Sequence, residues 1–260
     1  MNLLNIGNKL LKTNGFLWTF IYTLYWIARY FFRVDLKILF KTLLRLEEKH
    51  NLPGFNAPLT AGALWDLLPW EKERGEEWTV SAQWKQSLVN DVILKYIPPE
   101  SMVLEIGPGG GRWTEYLLRT ARKLIAVDVS ARAIDLCKNR FFAVTNGEFY
   151  LMKNIDLGFI PEKSIEVIWS FDVFVHINPE DTERYLKEFR RVLVPGGKAV
   201  IHHPKAGGVH GGCRSRMTDR LFVELLEKHK LTLECQFDSW GENGRYDLHR
   251  YGDCISVFHS

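Results

Sequence analysis

The sequence predicts an α/β fold, with a doubly wound, mostly parallel sheet, helices on both faces and a helical extension in front. Three observations carry this expectation. Apolar runs of strand length (Val103 to Ile106, Leu124 to Val127, Ile165 to Phe171, Lys198 to His203) alternate with longer segments of helical periodicity. The first run enters a glycine-rich turn, Gly107 to Gly111, and the next ends in Asp128, about twenty residues on. A chain of 260 residues with 46% hydrophobic content can bury one full core of this kind.

The first strand and its turn say most about function. Gly107, Gly109 and Gly111 let a ligand approach the backbone without a Cβ in the way, and Asp128 can accept hydrogen bonds from both hydroxyls of a ribose. A dinucleotide fold wants G-x-G-x-x-G, yet the position of its last glycine holds Arg112. Glu105, two positions before the first glycine, would repel a pyrophosphate but suits a ligand with a cationic amino group.

At these residues the sequence resembles the class I S-adenosylmethionine-dependent methyltransferases, whose first motif is an acidic residue followed by G-x-G-x-G. The resemblance covers roughly residues 80–260 and continues in order. A fourth strand, Ile165 to Phe171, is followed by Asp172 to His176. Tyr185 to Gly197 looks like the family's helix, ended by Pro195, Gly196 and Gly197 before a fifth strand. The resemblance implies a Rossmann-like, seven-stranded sheet. It implies S-adenosylmethionine as cofactor, S-adenosylhomocysteine as product, and a binding set of Glu105, Gly107, Pro108, Gly109, Gly111, Trp113, Asp128, Val129, Asn154, Ile155 and Phe171. Adenine would be read at the end of the third strand, Phe149 to Asp156, where the family pattern favours an acid just after Asn154. This chain has Ile155 there, with Asp156 displaced by one. The helix before the first strand, capped by Thr79 or Ser81 and carrying Trp84, Leu88, Val92 and Ile93, is implied to lie over the methionine end.

Methyl transfer to a hydroxyl needs a base, and the ends of strands four and five offer Asp172, His176, His202 and His203. His176, with Asp172 nearby, is the expected base. His202 or His203 is the fallback, and on an alternating strand only one of them can face the ligand. No spacing demands a metal. No Asn/Asp-Pro-Pro-Tyr/Phe motif follows strand four, which argues against amino methylation of a nucleobase or glutamine, and the long basic surface of a nucleic-acid binder is missing. A sugar or glycan hydroxyl, or a related small molecule, is the expected acceptor. A lipid or quinone-like acceptor at the membrane is the alternative, and a cofactor-binding scaffold subunit without turnover is the non-enzymatic one. Cys137, Cys213, Cys235 and Cys254 show neither pairing nor zinc-ligand spacing and read as reduced thiols of a cytoplasmic protein.

Residues 1–78 read as the extension and 79–260 as the methyltransferase domain. Residues 1–50 hold eight Lys or Arg against three acids, a net of +5 in a chain whose total is +3. Phe16 to Ala28 is uncharged but only thirteen residues long, too short for a bilayer span. Arg29, Arg33, Lys37, Lys41 and Arg45 recur every four residues, as along one side of a helix. Residues 16–48 could therefore lie on the inner face of a membrane, or dock on the domain or on a second subunit and shape the entrance; docking is the expectation. Asn51 to Pro58 reads as a linker. In the tail, Gly207 to Arg216 reads as a glycine-rich closing loop whose Arg214 and Arg216 either bind an anion or are solvated.

Overall fold

The structure, a computed structural model, describes residues 3–207 and 214–260. Its strands are β1 Met102–Ile106, β2 Lys123–Asp128, β3 Gly147–Leu151, β4 Ile165–Ser170, β5 Leu193–Pro204, β6 Thr232–Phe237, β7 Ser239–Trp240, β8 Tyr246–Asp247 and β9 Asp253–His259. Seven of them form one sheet in the order β3-β2-β1-β4-β5-β9-β6, and β7 and β8 make a separate ribbon. β1 to β5 pair in parallel, while β9 runs antiparallel between β5 and β6. The strand order reverses between β1 and β4, so the crevice beyond the carboxyl ends of these strands is where a ligand would sit.

The central strands are apolar without a break because both faces are covered. Val103, Leu124, Ala126, Val167, Trp169 and Val200 pack into one layer, and Leu104, Ile125, Val127, Ile168, Ala199 and Ile201 into the other. Strand alternation sends neighbouring residues to opposite sides.

The helices are α1 Leu3–Phe31, α2 Lys37–His50, α3 Pro58–Trp65, α4 Trp70–Glu73, α5 Ala82–Leu88, α6 Leu94–Tyr96, α7 Thr114–Thr120, α8 Ala131–Arg140, α9 Pro179–Val192 and α10 Asp219–Lys228. Ser81, rather than Thr79, caps α5: its side chain accepts from the Trp84 N–H at 3.1 Å. A π turn, Val89–Ile93, joins α5 to α6 and keeps Leu88, Val92 and Ile93 buried.

Three sequence expectations change. α9 ends at Val192, before the Pro-Gly-Gly segment. Pro195, Gly196 and Gly197 lie inside β5, where pairing with β4 slips between Ile165 and Val167 and Gly196 takes φ +74. A residue free to adopt positive φ serves this bulge as well as it would a helix end. The basic residues from Arg29 to Arg45 do not share one helix. α1 stops at Phe31, Arg33 turns the chain at φ +53, and Lys37, Lys41 and Arg45 belong to α2. α1 itself is bent at Gly15, whose φ of 78 and ψ of 174 are not helical. The segment from Asn51 to Pro58 is packed rather than a bare linker: Phe55 is buried against Trp18, Tyr22 and Phe40, with ring centroids 5.0, 5.7 and 5.3 Å away.

α1 and α2 form an antiparallel hairpin, since Trp18 Nε1 donates to Glu47 at 2.8 Å while Tyr25 meets Phe40 at 5.6 Å. α3 and α4 dock on the α/β core. Asp66 accepts from Ser130 Oγ at 2.8 Å and from the Arg132 N–H at 3.1 Å, and Arg132 forks onto Glu71 at 2.9 and 2.7 Å. A Cβ on Gly62 would overlap the Val129 carbonyl. The extension is thereby fixed over the end of β2.

Candidate cofactor and catalytic site

A cavity of about 330 Å³ opens at the carboxyl ends of β1, β2, β4 and β5. Gly107, Pro108 and Gly109 form its floor, with Gly107 at φ +75 and Gly109 at φ +52. A Cβ on Gly107 would overlap the Val173 side chain, and one on Gly110 would overlap the Arg74 backbone. These glycines are thus required by close approach: the segment from Trp70 to Gly75 lies directly on the loop. Trp65, Trp70, Trp78 and Trp84 add an aromatic wall, with Trp70 5.8 Å from Trp78 and 6.1 Å from Trp65. Sequence analysis did not assign Trp65, Trp70 or Trp78 to the site, since none lies in a motif or at the end of a strand.

Asp128 lies on the cavity wall and is buried. Its Oδ2 accepts from the Gly109 N–H at 3.1 Å and its Oδ1 from the Ser130 N–H at 2.8 Å. Burial lifts its pKa to about 6 in spite of these bonds. Glu105 sits beneath the loop and off the cavity wall, accepting from Thr114 Oγ1 at 2.7 Å. Burial, with a further push from Asp128, raises its pKa to about 8 against the opposing Thr114 bond. Gly111 is also off the wall, turned at φ +84 against the Phe141 ring. Asn154 is exposed, because Met152 and Ile155 take the inward positions and line the cavity instead. Val129, Trp113 and Phe171 are on the wall.

The residues present fit the implied cofactor. They offer a glycine cradle that a Cβ would obstruct, a strand-end carboxylate, an apolar slot from Met152 and Ile155, and a buried Trp113 Nε1 that has no hydrogen-bond partner. Among the described residues no cluster of three or more His, Cys, Asp or Glu could hold a metal.

The end of the cavity beside β4 and β5 is built around His202. It is buried, lies on the cavity wall, and stacks on Phe171 with centroids 4.3 Å apart. Its Nδ1 lies 3.1 Å from the Asp172 N–H and 3.2 Å from Asp172 Oδ1, so either tautomer has a partner. Its Nε2 lies 3.4 Å from Asp253 Oδ2, close enough for charge to act but without a hydrogen bond. Burial opposes the imidazolium, but the bond to Asp172 and the charges of Asp172 and Asp253 outweigh it, and the pKa is raised. Each carboxylate has its own arginine. Arg112 bridges to Asp172 and Arg214 to Asp253, and both arginines line the cavity. Burial opposes ionisation of Asp172, yet His202 and Arg112 hold its pKa far below the ordinary carboxylate range.

The structure groups these residues differently from the sequence expectation. Asp172 serves His202, whereas His176 lies in a 3-10 turn and packs edge-on against Trp65 at 5.1 Å, still on the cavity wall. His203 points into the other layer, stacked on Phe222 at 3.9 Å and bonded to Ser256 at 2.7 Å, and burial depresses its pKa to about 3. Arg214 and Arg216 are both paired, the latter with Glu180 at 3.1 Å. Gly208 to Cys213 of the expected closing loop lie outside the described residues. Asp253 was missed altogether. The register pairs His203 with Cys254 and Pro204 with Asp253, which brings a carboxylate from the start of an antiparallel strand beside the end of β5.

Residues 103–197 match the family model described as a methyltransferase domain. That segment holds the glycine loop and Asp128, its fold is the one seen in S-adenosylmethionine-dependent methyltransferases, and a methyltransferase domain of this kind implies S-adenosylmethionine as the cofactor. Among curated relatives it is similar to a demethylmenaquinone methyltransferase of Tropheryma whipplei, 34% identical over 40% of this chain and 43% of that protein. It is also similar to a ubiquinone biosynthesis O-methyltransferase of Coxiella burnetii, 28% identical over 43% of this chain and 49% of that one. The chain thus spans less than half the length of these relatives. A TehB-like methyltransferase structure from Corynebacterium glutamicum shares the fold, with TM-score 0.54 and 21% identity over 74% of this chain and 94% of that one.

Proposed function

We propose that the chain is an S-adenosylmethionine-dependent O-methyltransferase with His202 as general base, acting on a hydroxyl of a mainly apolar, quinone-like small molecule. The observation that carries this is the juxtaposition, in one cavity, of the glycine loop and Asp128 with a buried histidine held between two carboxylates. When bound, the cofactor supplies a methyl group on a positively charged sulfur. Gly107, Gly109 and Asp128 would hold its nucleoside and amino-acid parts, with Met152 and Ile155 against the base. With the Nδ1 proton directed at Asp172, His202 presents the Nε2 lone pair to the acceptor hydroxyl and takes its proton as oxygen becomes the nucleophile. Asp172 and Asp253 stabilise the imidazolium that forms, and Arg112 and Arg214 keep both carboxylates ionised. The tryptophan cap excludes water and aligns the acceptor.

The wall favours the apolar acceptor over the sugar or glycan expected from sequence. Trp65, Trp78, Val80, Val175, Leu248 and Tyr251 line it, and two relatives are named for demethylmenaquinone and ubiquinone biosynthesis. A peripheral membrane location would rest on another surface, since no described residue of 16–48 lines the cavity. The test is transfer of labelled methyl from S-adenosylmethionine to hydroxylated quinones and phenols set against a sugar panel. Transfer to the first group, lost in His202→Ala while S-adenosylhomocysteine still binds, supports the reading. Transfer to sugars alone would replace the acceptor, and cofactor binding without turnover on either panel would favour the scaffold.

A further inference from the structure

The α1–α2 hairpin presents an apolar surface to solvent on the side that does not carry the cavity's lining. Phe31, Phe32 and Ile38 at its tip are 66, 71 and 73% exposed, and Val34 and Leu36 between them are exposed as well. Along α1, Phe16, Leu17, Phe20 and Leu24 are exposed in line with Phe31. At 3.6 residues per turn these five positions fall within an arc of about 100°. The buried Trp18 and Tyr25 occupy the opposite side of the helix. Arg33 and Lys37 stand at the tip and Lys41 and Arg45 follow along α2, all exposed, with Asp35 and Glu48 the exposed acids nearest them in sequence.

We propose that this hairpin docks on the surface of an anionic bilayer, with the aromatic and aliphatic tip entering the headgroup layer and the basic residues meeting lipid phosphates. Charge decides the occupant. A second copy meeting the same face about a twofold axis would bring Arg33, Lys37, Lys41 and Arg45 against their own equivalents, whereas anionic headgroups complement them. The mode is interfacial: among the described residues no helix is long and apolar enough to cross a membrane. The inference stands on the extension's own residues and holds whichever acceptor the cavity takes.

The experiment is co-sedimentation of the full chain with phosphatidylcholine vesicles, with and without phosphatidylglycerol, alongside light scattering of the free protein. Two variants accompany it: Phe31→Ser, Phe32→Ser, Ile38→Ser combined, and Arg33→Glu, Lys37→Glu, Lys41→Glu combined. Since all six side chains are exposed, both variants should keep the parent's melting temperature and S-adenosylhomocysteine binding. The expected result is partition onto phosphatidylglycerol vesicles that falls about tenfold or more in either variant, and that weakens with salt in the parent. Failure of the parent to bind these vesicles overturns the proposal, as does binding by both variants that equals the parent's. A dimer that the serine variant dissolves would assign the face to a second copy instead.

Discussion

His202 carries a prediction that separates a base from a structural histidine. Activity requires the neutral imidazole, so kcat/KM should rise with pH through the raised pKa of His202. Asp253→Asn removes one carboxylate that favours the imidazolium and leaves the Arg214 charge uncompensated, so the pKa falls and the acid limb moves to lower pH. His202→Ala should lower kcat/KM by about 10²- to 10⁴-fold while leaving the dissociation constant for S-adenosylhomocysteine within about twofold. His176→Ala should raise KM, because this side chain stands with Trp65 on the wall, and leave the acid limb where it is. A pH–rate profile of the Asp253→Asn enzyme superimposable on the parent's would remove His202 from the role of base.

At the level of elements, the cap and the glycine loop act as one unit. Gly110→Ala places a methyl group into the Arg74 backbone, which cannot yield as a flexible side chain would. The segment from Trp70 to Gly75 must therefore lift, at about 1–3 kcal/mol, and titration calorimetry should show S-adenosylhomocysteine affinity down by roughly tenfold or more. Limited proteolysis near Trp78 should quicken in the same variant, whereas an unchanged affinity and cleavage pattern would mean the cap does not bear on the loop. The loop was legible beforehand because Gly107, Gly109, Gly111 and Asp128 are tied by local geometry: a strand, a turn, and the end of the next strand. The cap was not, since Trp65, Trp70 and Trp78 owe their positions to tertiary docking through Asp66 and Glu71, and a helical pattern cannot report where a helix will land. The pairing of His202 with Asp253 was hidden for a related reason. It depends on the register of an antiparallel strand 51 residues away, and only Asp172, next to strand four, was visible as a partner. Arg112, noticed only as the residue in place of a glycine, turns out to hold that aspartate.

For the whole molecule, the buried acids under the loop make the cofactor site a source of instability when no ligand is bound. Glu105 and Asp128 have folded-state pKa values of about 8 and about 6, against ordinary values of 4.5 and 3.8. The folded chain therefore keeps protons that the unfolded chain releases. Stability is greatest below the ordinary values and is lost as pH rises, through about 6 for Asp128 and about 8 for Glu105. Asp172 has the opposite sign, its pKa being depressed, but its window lies below 3.8; His203, depressed from 6.5 to about 3, also has the opposite sign and offsets part of the decline up to pH 6.5 without cancelling the two acids together. The melting temperature of the ligand-free protein should accordingly decline between pH 5 and pH 8, about 5 and 8 marking the window set by these two groups. Glu105→Gln combined with Asp128→Asn removes both ionisations at nearly constant volume, so at the alkaline end of that window it should melt roughly 5 °C or more above the parent. The same variant should gain almost nothing from S-adenosylhomocysteine, because a ribose needs the Asp128 carboxylate on the cavity wall that burial makes costly. A stability curve flat with pH, or a double variant that melts below its parent, would show that the two acids are already accommodated without ligand, and the site would lose its argument for having been shaped by what it binds.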